Sequence, residues 1–280
     1  MKKILKILIE APLKFVVYIL GKINLGRYIL DELNKNIIKK KEIIIYKDLK
    51  LIFYVPNRLS HFRVNTFYTK EPETLKWIDK FKKKTTFWDI GANIGLYSCY
   101  AAKKNLCKVY AFEPSIFNLE WLGRNIFLNN LVEKIVVVPI PLTEIILENT
   151  LNFSSTEWGG ALTTFGQSYG HDGKDLKKVF EFSTLGMSMN DIKNLLNIPQ
   201  PDYIKIDVDG IEHLILKGGE KVLLNTRELL IEVNDNFIKQ AGDTEEYLKK
   251  AGFKLKHKRH SEIIAKSTKF STFYNQIWVK

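Results

Sequence analysis

Two hydrophobic periods alternate along most of this chain. Short apolar runs, of the kind buried on both faces of a parallel sheet, are separated by stretches in which apolar residues recur at helical spacing. The runs are Phe87-Trp88 with Ile90, Cys107 to Phe112, Ile135 to Ile140, Tyr203 to Asp207 and Leu229 to Val233. Helical stretches lie between them. One runs from Leu96 to a Lys103-Lys104-Asn105 stop, and another spans 116–129 with Phe117, Trp121, Leu122 and Leu128. Further helices are predicted over 190–197, from Glu212 to Gly218-Gly219, and from Thr244 to Ala251. Strands at Phe253–Leu255 and Tyr274–Val279 close the chain. This alternation predicts an α/β fold with a largely parallel sheet, right-handed crossovers and antiparallel last strands. Residues 150–186 break the pattern with Trp158-Gly-Gly160, Gly166, Gly170 and His171-Asp-Gly173. The stretch is too long for a plain connection and predicts hairpins or a lid over a pocket. Within it His171 reads as a turn residue rather than a base, and Trp158 as either a sugar-stacking ring or a core ring.

The N-terminal part has a different texture. Residues 43–55 predict two strands around a turn at Lys47-Asp48, and 72–81 a helix with Pro72 in its first turn and Leu75, Ile78 and Phe81 toward the sheet. In residues 1–34, Ile4, Leu5, Leu8, Ala11, Phe15, Val16 and Ile19 form one helical stripe, with Lys2, Lys3, Lys6, Glu10 and Lys14 opposite. Pro12 is expected to open the second of two short helices. The charges and Pro12 interrupt the apolar run too often for a signal peptide or a membrane span. Three parts follow: a basic amphipathic arm over 1–40, strands and a helix over 41–84, and the main domain over 85–280. The arm suits an anionic membrane surface, or packing on its own domain or a second subunit, which leaves a homo-oligomer open.

Composition changes the picture little. Of 280 residues 45% are hydrophobic and 26% charged, ordinary for a globular chain. The two cysteines, Cys99 and Cys107, give neither a disulfide framework nor metal spacing, so a cytoplasmic protein is expected, with peripheral contact at the inner membrane face if the arm docks there. The net charge of +12 is uneven, because residues 1–50 hold twelve Lys/Arg against five Asp/Glu. With no interleaved aromatic-basic run beside that charge, no nucleic-acid partner is expected.

The candidate chemistry centres on Asp89-Ile-Gly-Ala-Asn-Ile-Gly95, a strand tip, a glycine turn and a helix start. Gly91 lets a ligand approach the main chain, and the helix N–H groups offer a site for an anion. Glu113 follows Gly91 by 22 positions, near the spacing that places an acid on ribose hydroxyls. There is no third glycine, and a carboxylate at Asp89 repels a pyrophosphate but suits a ligand carrying an ammonium and a sulfonium. S-adenosylmethionine carries both. The rival readings are a dinucleotide and a turn that merely connects. Thr143 and Glu144 fall where the adenine is held in such folds, or else in a solvated loop.

Taken together, Asp89 to Gly95, Phe112-Glu-Pro-Ser115 with Asn118, and Tyr203-Ile-Lys-Ile-Asp-Val-Asp-Gly-Ile-Glu212 resemble the FkbM family of S-adenosylmethionine-dependent methyltransferases. Glu71-Pro-Glu73 and Leu230-Ile-Glu-Val233 add to the likeness, which covers about residues 67–280. The resemblance implies a Rossmann-like class I methyltransferase fold and O-methylation of a sugar, glycan or related small molecule. It implies a cofactor site at Asp89, Gly91, Asn93, Gly95, Glu113, Ser115, Thr143 and Glu144. For the proton of a hydroxyl acceptor, Asp207 is the first candidate as base or orienter, followed by Asp209, Glu212 and His213. Asp207-x-Asp209 also suits the divalent ion of a sugar-nucleotide glycosyltransferase, but that reading leaves Asp89 to Gly95 and Glu113 unexplained, and no metal site is expected. A non-catalytic module on the same fold is the third reading.

Overall fold

The computed structural model describes residues 2–280, with side chains from Leu8 onward. Two helices, α1 (Lys2–Leu20) and α2 (Asn24–Ile38), precede a hairpin of β1 (Lys41–Tyr46) and β2 (Leu49–Tyr54). Helix α1 runs unbroken through Pro12, a correction to the two short helices expected there. A proline inside a helix removes one hydrogen bond, and the strong helix formers on both sides carry the helix across the loss. Of the predicted stripe, Ile4 and Leu5, with Lys2, Lys3 and Lys6 opposite, lie outside the described side chains.

The short helices α3 (Arg58–Asn65) and α4 (Pro72–Ile78) lead into the main sheet. Asn57 caps α3 by accepting from the Ser60 N–H, and Pro72 opens α4 as its spacing predicts. Strand β3 (Thr86–Ile90), α5 (Leu96–Asn105), β4 (Lys108–Phe112), α6 (Ile116–Leu128) and β5 (Ile135–Val138) follow. Pro139 ends β5 two residues before the predicted limit. The irregular middle forms a separate antiparallel sheet in the order β7-β6-β8, from β6 (Leu147–Phe153), β7 (Thr163–Phe165) and β8 (Phe180–Gly186). After α7 (Met189–Leu195) come β9 (Tyr203–Ile206), α8 (Glu212–Lys217), α9 (Glu220–Leu224) and β10 (Glu228–Asn234). Helix α10 (Ile238–Lys250), β11 (Lys254–Arg259), α11 (Glu262–Ala265) and β12 (Phe273–Val279) complete the chain. Helix α10 begins a turn and a half before the expected Thr244, because Gln240 and Thr244 are buried and break the apolar signal.

The main sheet has seven strands in the order β11-β12-β10-β9-β3-β4-β5. The run from β10 through β9, β3 and β4 to β5 is parallel, and β12 pairs antiparallel with both β10 and β11. Side chains alternate across it as the strand period requires. Phe87 and Val109 join α4, α5, α6 and the β1–β2 hairpin in one core. Trp88, Ile90, Ile204 and Ile206 join α7, α8, α9, α10 and the small sheet in the other. The hairpin is tied down by Asn125 and Asn129 of α6, whose side-chain oxygens accept from the N–H groups of Tyr54 and Ile52. Both cysteines are buried, and burial pushes each thiol up, which makes them packing residues.

Candidate active site

A cavity of about 500 Å³ opens at the carboxyl ends of β3, β4, β9 and β10, where open α/β sheets collect ligands. The β6–β7 loop and α3 cover it. On one side lies the glycine turn. Gly91 and Ala92 donate to the Phe112 carbonyl at 2.9 and 3.0 Å, which locks the turn to the tip of β4. Gly91 has φ +87°, and a Cβ there would sit 1.9 Å from the Asp207 carbonyl oxygen, so the position admits no side chain. Gly95 has φ +86° and faces Leu122. It does not reach the cavity, whose wall is made by Ile94 and Leu96 on either side.

Glu113 lines the cavity and is held mainly by dipoles, with a lesser pull from the Arg63 guanidinium. Its carboxylate accepts from the Asn93 N–H at 2.7 Å, the Ser115 N–H at 2.9 Å and the Asn118 amide at 3.4 Å. Burial outweighs these bonds and pushes its pKa up to about 7. Ser115 therefore serves through its main chain, beside the cavity rather than in it. Asn93 lines the cavity, and its side-chain amide reaches the Gly160 carbonyl at 2.7 Å. The turn's N–H groups are thus engaged with protein acceptors, which leaves the anion site expected there to the first turn of α5 itself. Asp89 lies under the turn, fully buried, with one oxygen accepting from the Ser98 hydroxyl and the other without a partner. Burial raises its pKa against the pull of Lys205.

The other side is ionic. Lys205, at the centre of β9 and only 1% exposed, bonds Asp207 at 2.6 Å and lies 5.2 Å from the Tyr97 ring centre. Burial disfavours its charge, but Asp207, Glu71 and Asp89 together outweigh that and hold the ammonium firmly protonated. Lys70 pairs with Glu71 at 2.5 Å. Asp207 is half-buried, and Lys205 and Lys70 keep it below the usual carboxylate range against the pull of desolvation. Glu232, at the end of β10, is driven well above that range by burial and by the Asp207 charge. Arg63 of α3 adds a guanidinium to the wall and donates to the Gly159 carbonyl at 2.6 Å.

The structure brings together Gly91, Asn93, Glu113, Asp207 and Asp209 around this one space. Asp209 has a different task from proton transfer. At φ +65°, its carboxylate accepts from the Leu162 N–H at 2.6 Å and the Thr163 N–H at 3.4 Å, pinning the β6–β7 loop. Burial and the neighbouring Asp207 raise its pKa to about 6. Asp207 and Asp209 thus point to different partners, and among the described residues no group of three or more His, Cys, Asp or Glu could hold a metal ion.

Besides Asp89, Gly95 and Ser115, four more predicted residues lie outside the cavity lining. Thr143 is buried, with its N–H on the Met187 carbonyl, and Glu144 pairs with Lys217 at 2.7 Å; Ile140, Pro141 and Leu142 line the wall instead. Glu212 folds back to accept from Val208, Gly210 and Gln240, so it shapes the loop after β9. Burial raises its pKa to about 7 against those bonds. His213 is buried against Phe237 with both ring nitrogens unpartnered, and burial lowers its pKa. Trp158 packs on Trp121 at 5.1 Å, and His171 sits in a Gly170–Gly173 turn. The residues that sequence reasoning did not assign are Lys205, Lys70, Glu71, Tyr97 and Arg63. Lys205 alone had a signal, as a lysine inside an otherwise apolar parallel strand.

Similarity to solved structures is low in sequence and modest in shape. A precorrin-6y C5,15-methyltransferase from Geobacter metallireducens is 12% identical, with 75% of this chain and 86% of that one covered and a TM-score of 0.43. TYW2 of M. jannaschii in complex with AdoMet is 13% identical, with coverages of 85% and 84% and a TM-score of 0.44. Hexuronic acid methyltransferase AglP of Haloferax volcanii is 23% identical over 157 residues, 56% of this chain. The chain spans 59% of the length of that relative. The architecture described above is that of a Rossmann-like methyltransferase, with a mostly parallel sheet and an antiparallel C-terminal strand. Residues 89–255 match the Methyltransferase FkbM domain, and the chain belongs to that family.

Proposed function

We propose that the protein transfers a methyl group from S-adenosylmethionine to a hydroxyl of a sugar or glycan. The observation that carries this reading is that dipole-held Glu113 and lysine-held Asp207 face one cavity from the tips of β4 and β9, on either side of β3. The first suits neutral ribose hydroxyls, and the second suits a proton in transit. The buried Asp89 oxygen without a partner and the glycine turn fit the cofactor's ammonium end. When bound, the cofactor supplies an electrophilic methyl group.

This chain's residues supply position and a proton acceptor. Gly91, Asn93 and Glu113 would hold the cofactor. Lys205 and Lys70 keep Asp207 ionised, so it would receive the acceptor's O–H hydrogen bond and take that proton as the methyl's bond to sulfur gave way to the new C–O bond. Leu59, Phe62, Leu162 and Phe270 exclude water. Arg63 gives the acceptor side a cation, which suits an acidic sugar, and the name of the Haloferax relative specifies a hexuronic acid. The test is incubation with methyl-labelled cofactor and fractionated glycans, including uronic-acid oligosaccharides, read by mass spectrometry. Label on a sugar oxygen supports the proposal. Metal-dependent hydrolysis of a nucleotide sugar without methyl transfer refutes it.

A further inference from the structure

Helices α1 and α2 form a fixed unit with an apolar surface that is left exposed among the described residues. Gly26 is buried so closely on the end of α1 that a Cβ there would sit 2.2 Å from the Leu20 carbonyl oxygen, and Arg27 donates to the Gly21 carbonyl at 2.8 Å. The three-residue connection is therefore a built joint. Along α1, Phe15, Val16, Val17, Tyr18 and Ile19 are consecutive and between 46% and 65% exposed. Five consecutive residues exceed one helical turn, so this apolar surface encircles the helix. On α2, Leu25, Tyr28 and Leu33 are 68%, 63% and 53% exposed.

A flat protein surface covers one side of a helix, whereas lipid surrounds it. Charge points the same way. The first fifty residues carry twelve Lys/Arg against five Asp/Glu, with Lys39, Lys40 and Lys41 directly after α2. Two such segments repel each other in a symmetric dimer, but each is attracted to an anionic headgroup layer. No helix among the described residues is long and apolar enough to cross a membrane. We propose that the α1–α2 unit embeds in one face of an anionic lipid bilayer, holding the enzyme at that surface.

The test uses the full chain with vesicles of phosphatidylcholine alone or mixed with phosphatidylglycerol. Wild type should float with the mixed vesicles, stay behind with the neutral ones, and release as salt rises to about 0.5 M. The double substitution Phe15→Asp, Val17→Asp should lower the floated fraction about tenfold or more, with an unchanged circular dichroism spectrum because both side chains are exposed. A Phe15→Trp chain should shift its emission to the blue on adding mixed vesicles, which decides the matter even if the double substitution unfolds. Equal flotation with neutral vesicles, or none with either, overturns the proposal. So does a dimer in sedimentation that Phe15→Asp, Val17→Asp dissociates without any vesicle binding, which would make a second copy the occupant.

Discussion

The two sides of the cavity hold their carboxylates by opposite means. Glu113 is surrounded by N–H dipoles and has no cation in contact, so burial leaves it titrating near neutrality at about 7. Asp207 is half-buried, and Lys205 and Lys70 hold it ionised. A dipole-held acid can accept neutral hydroxyls without fixing a charge in the site, whereas a cation-held acid has its charge state settled before any ligand arrives. On the proposed reading, binding and proton transfer are divided between two electrostatic environments on either side of β3.

The comparison breaks most sharply at Asp207. Asp207→Asn keeps the shape and removes the proton acceptor, so methyl transfer should fall by about 10²–10⁴ while cofactor affinity by calorimetry stays nearly unchanged. Full transfer by this variant would move the proton acceptor elsewhere in the ionic cluster. Next comes Lys205→Met, which leaves Asp207, Glu71 and Asp89 without their shared buried cation. It should cost about 3–5 kcal/mol in chemical denaturation, with activity following stability down. A loss under about 1 kcal/mol would mean that the cluster relaxes around the missing charge. On the other side, Glu113→Ala should weaken S-adenosylmethionine binding by about 1.5–3 kcal/mol, roughly ten- to a hundredfold. Unchanged affinity would place Glu113 outside the ribose site.

The pH dependence should separate the two sides by sign. Glu113 and Glu212 at about 7 and Asp209 at about 6 keep protons in the folded chain that the unfolded chain releases near pH 4 or so. Their effect is therefore a stability that falls as pH rises from about 4 to about 7 and levels off above. Asp207 and Glu71, both lowered, contribute stability at neutral pH that is lost as pH drops below the usual carboxylate range. Glu113→Gln should flatten the first slope in urea titrations and leave the acid-side loss intact. The smallest effect is expected at Asp209→Asn, whose amide oxygen still accepts from the Leu162 N–H, with about 1 kcal/mol or less lost in stability.

Much of this was legible in the chain because its strands are apolar runs and its turns are marked by glycine and proline. The parallel sheet, the β1–β2 hairpin, the glycine turn and Glu113 all follow from spacing. Helix α3 was not, since Arg58–Asn65 is short and mostly polar and its order comes from the Asn57 cap and from bonds to the β6–β7 loop. Thr143 and Glu144 were placed by distance along the chain, which does not say which way a loop turns after its strand. Glu212 and His213 follow the strand tip so closely that sequence puts them with Asp207, but Glu212 reaches back to the Gly210 N–H much as a capping-box acid does, and the helix turns His213 away. Lys205 stands out in a strand of Tyr203, Ile204 and Ile206, but that strand reads as core and says nothing of the carboxylates the lysine meets.

The contact between Gly91 and the Asp207 carbonyl makes the donor turn and the acceptor strand a single mechanical piece. A side chain at 91 would wedge the tips of β3 and β9 apart, so on the proposed reading main-chain thickness, rather than any replaceable group, gauges the gap between methyl donor and proton acceptor. Acceptor preference can then drift through α3 and the β6–β7 loop, which carry Leu59, Phe62, Arg63 and Leu162, while the reaction distance stays fixed.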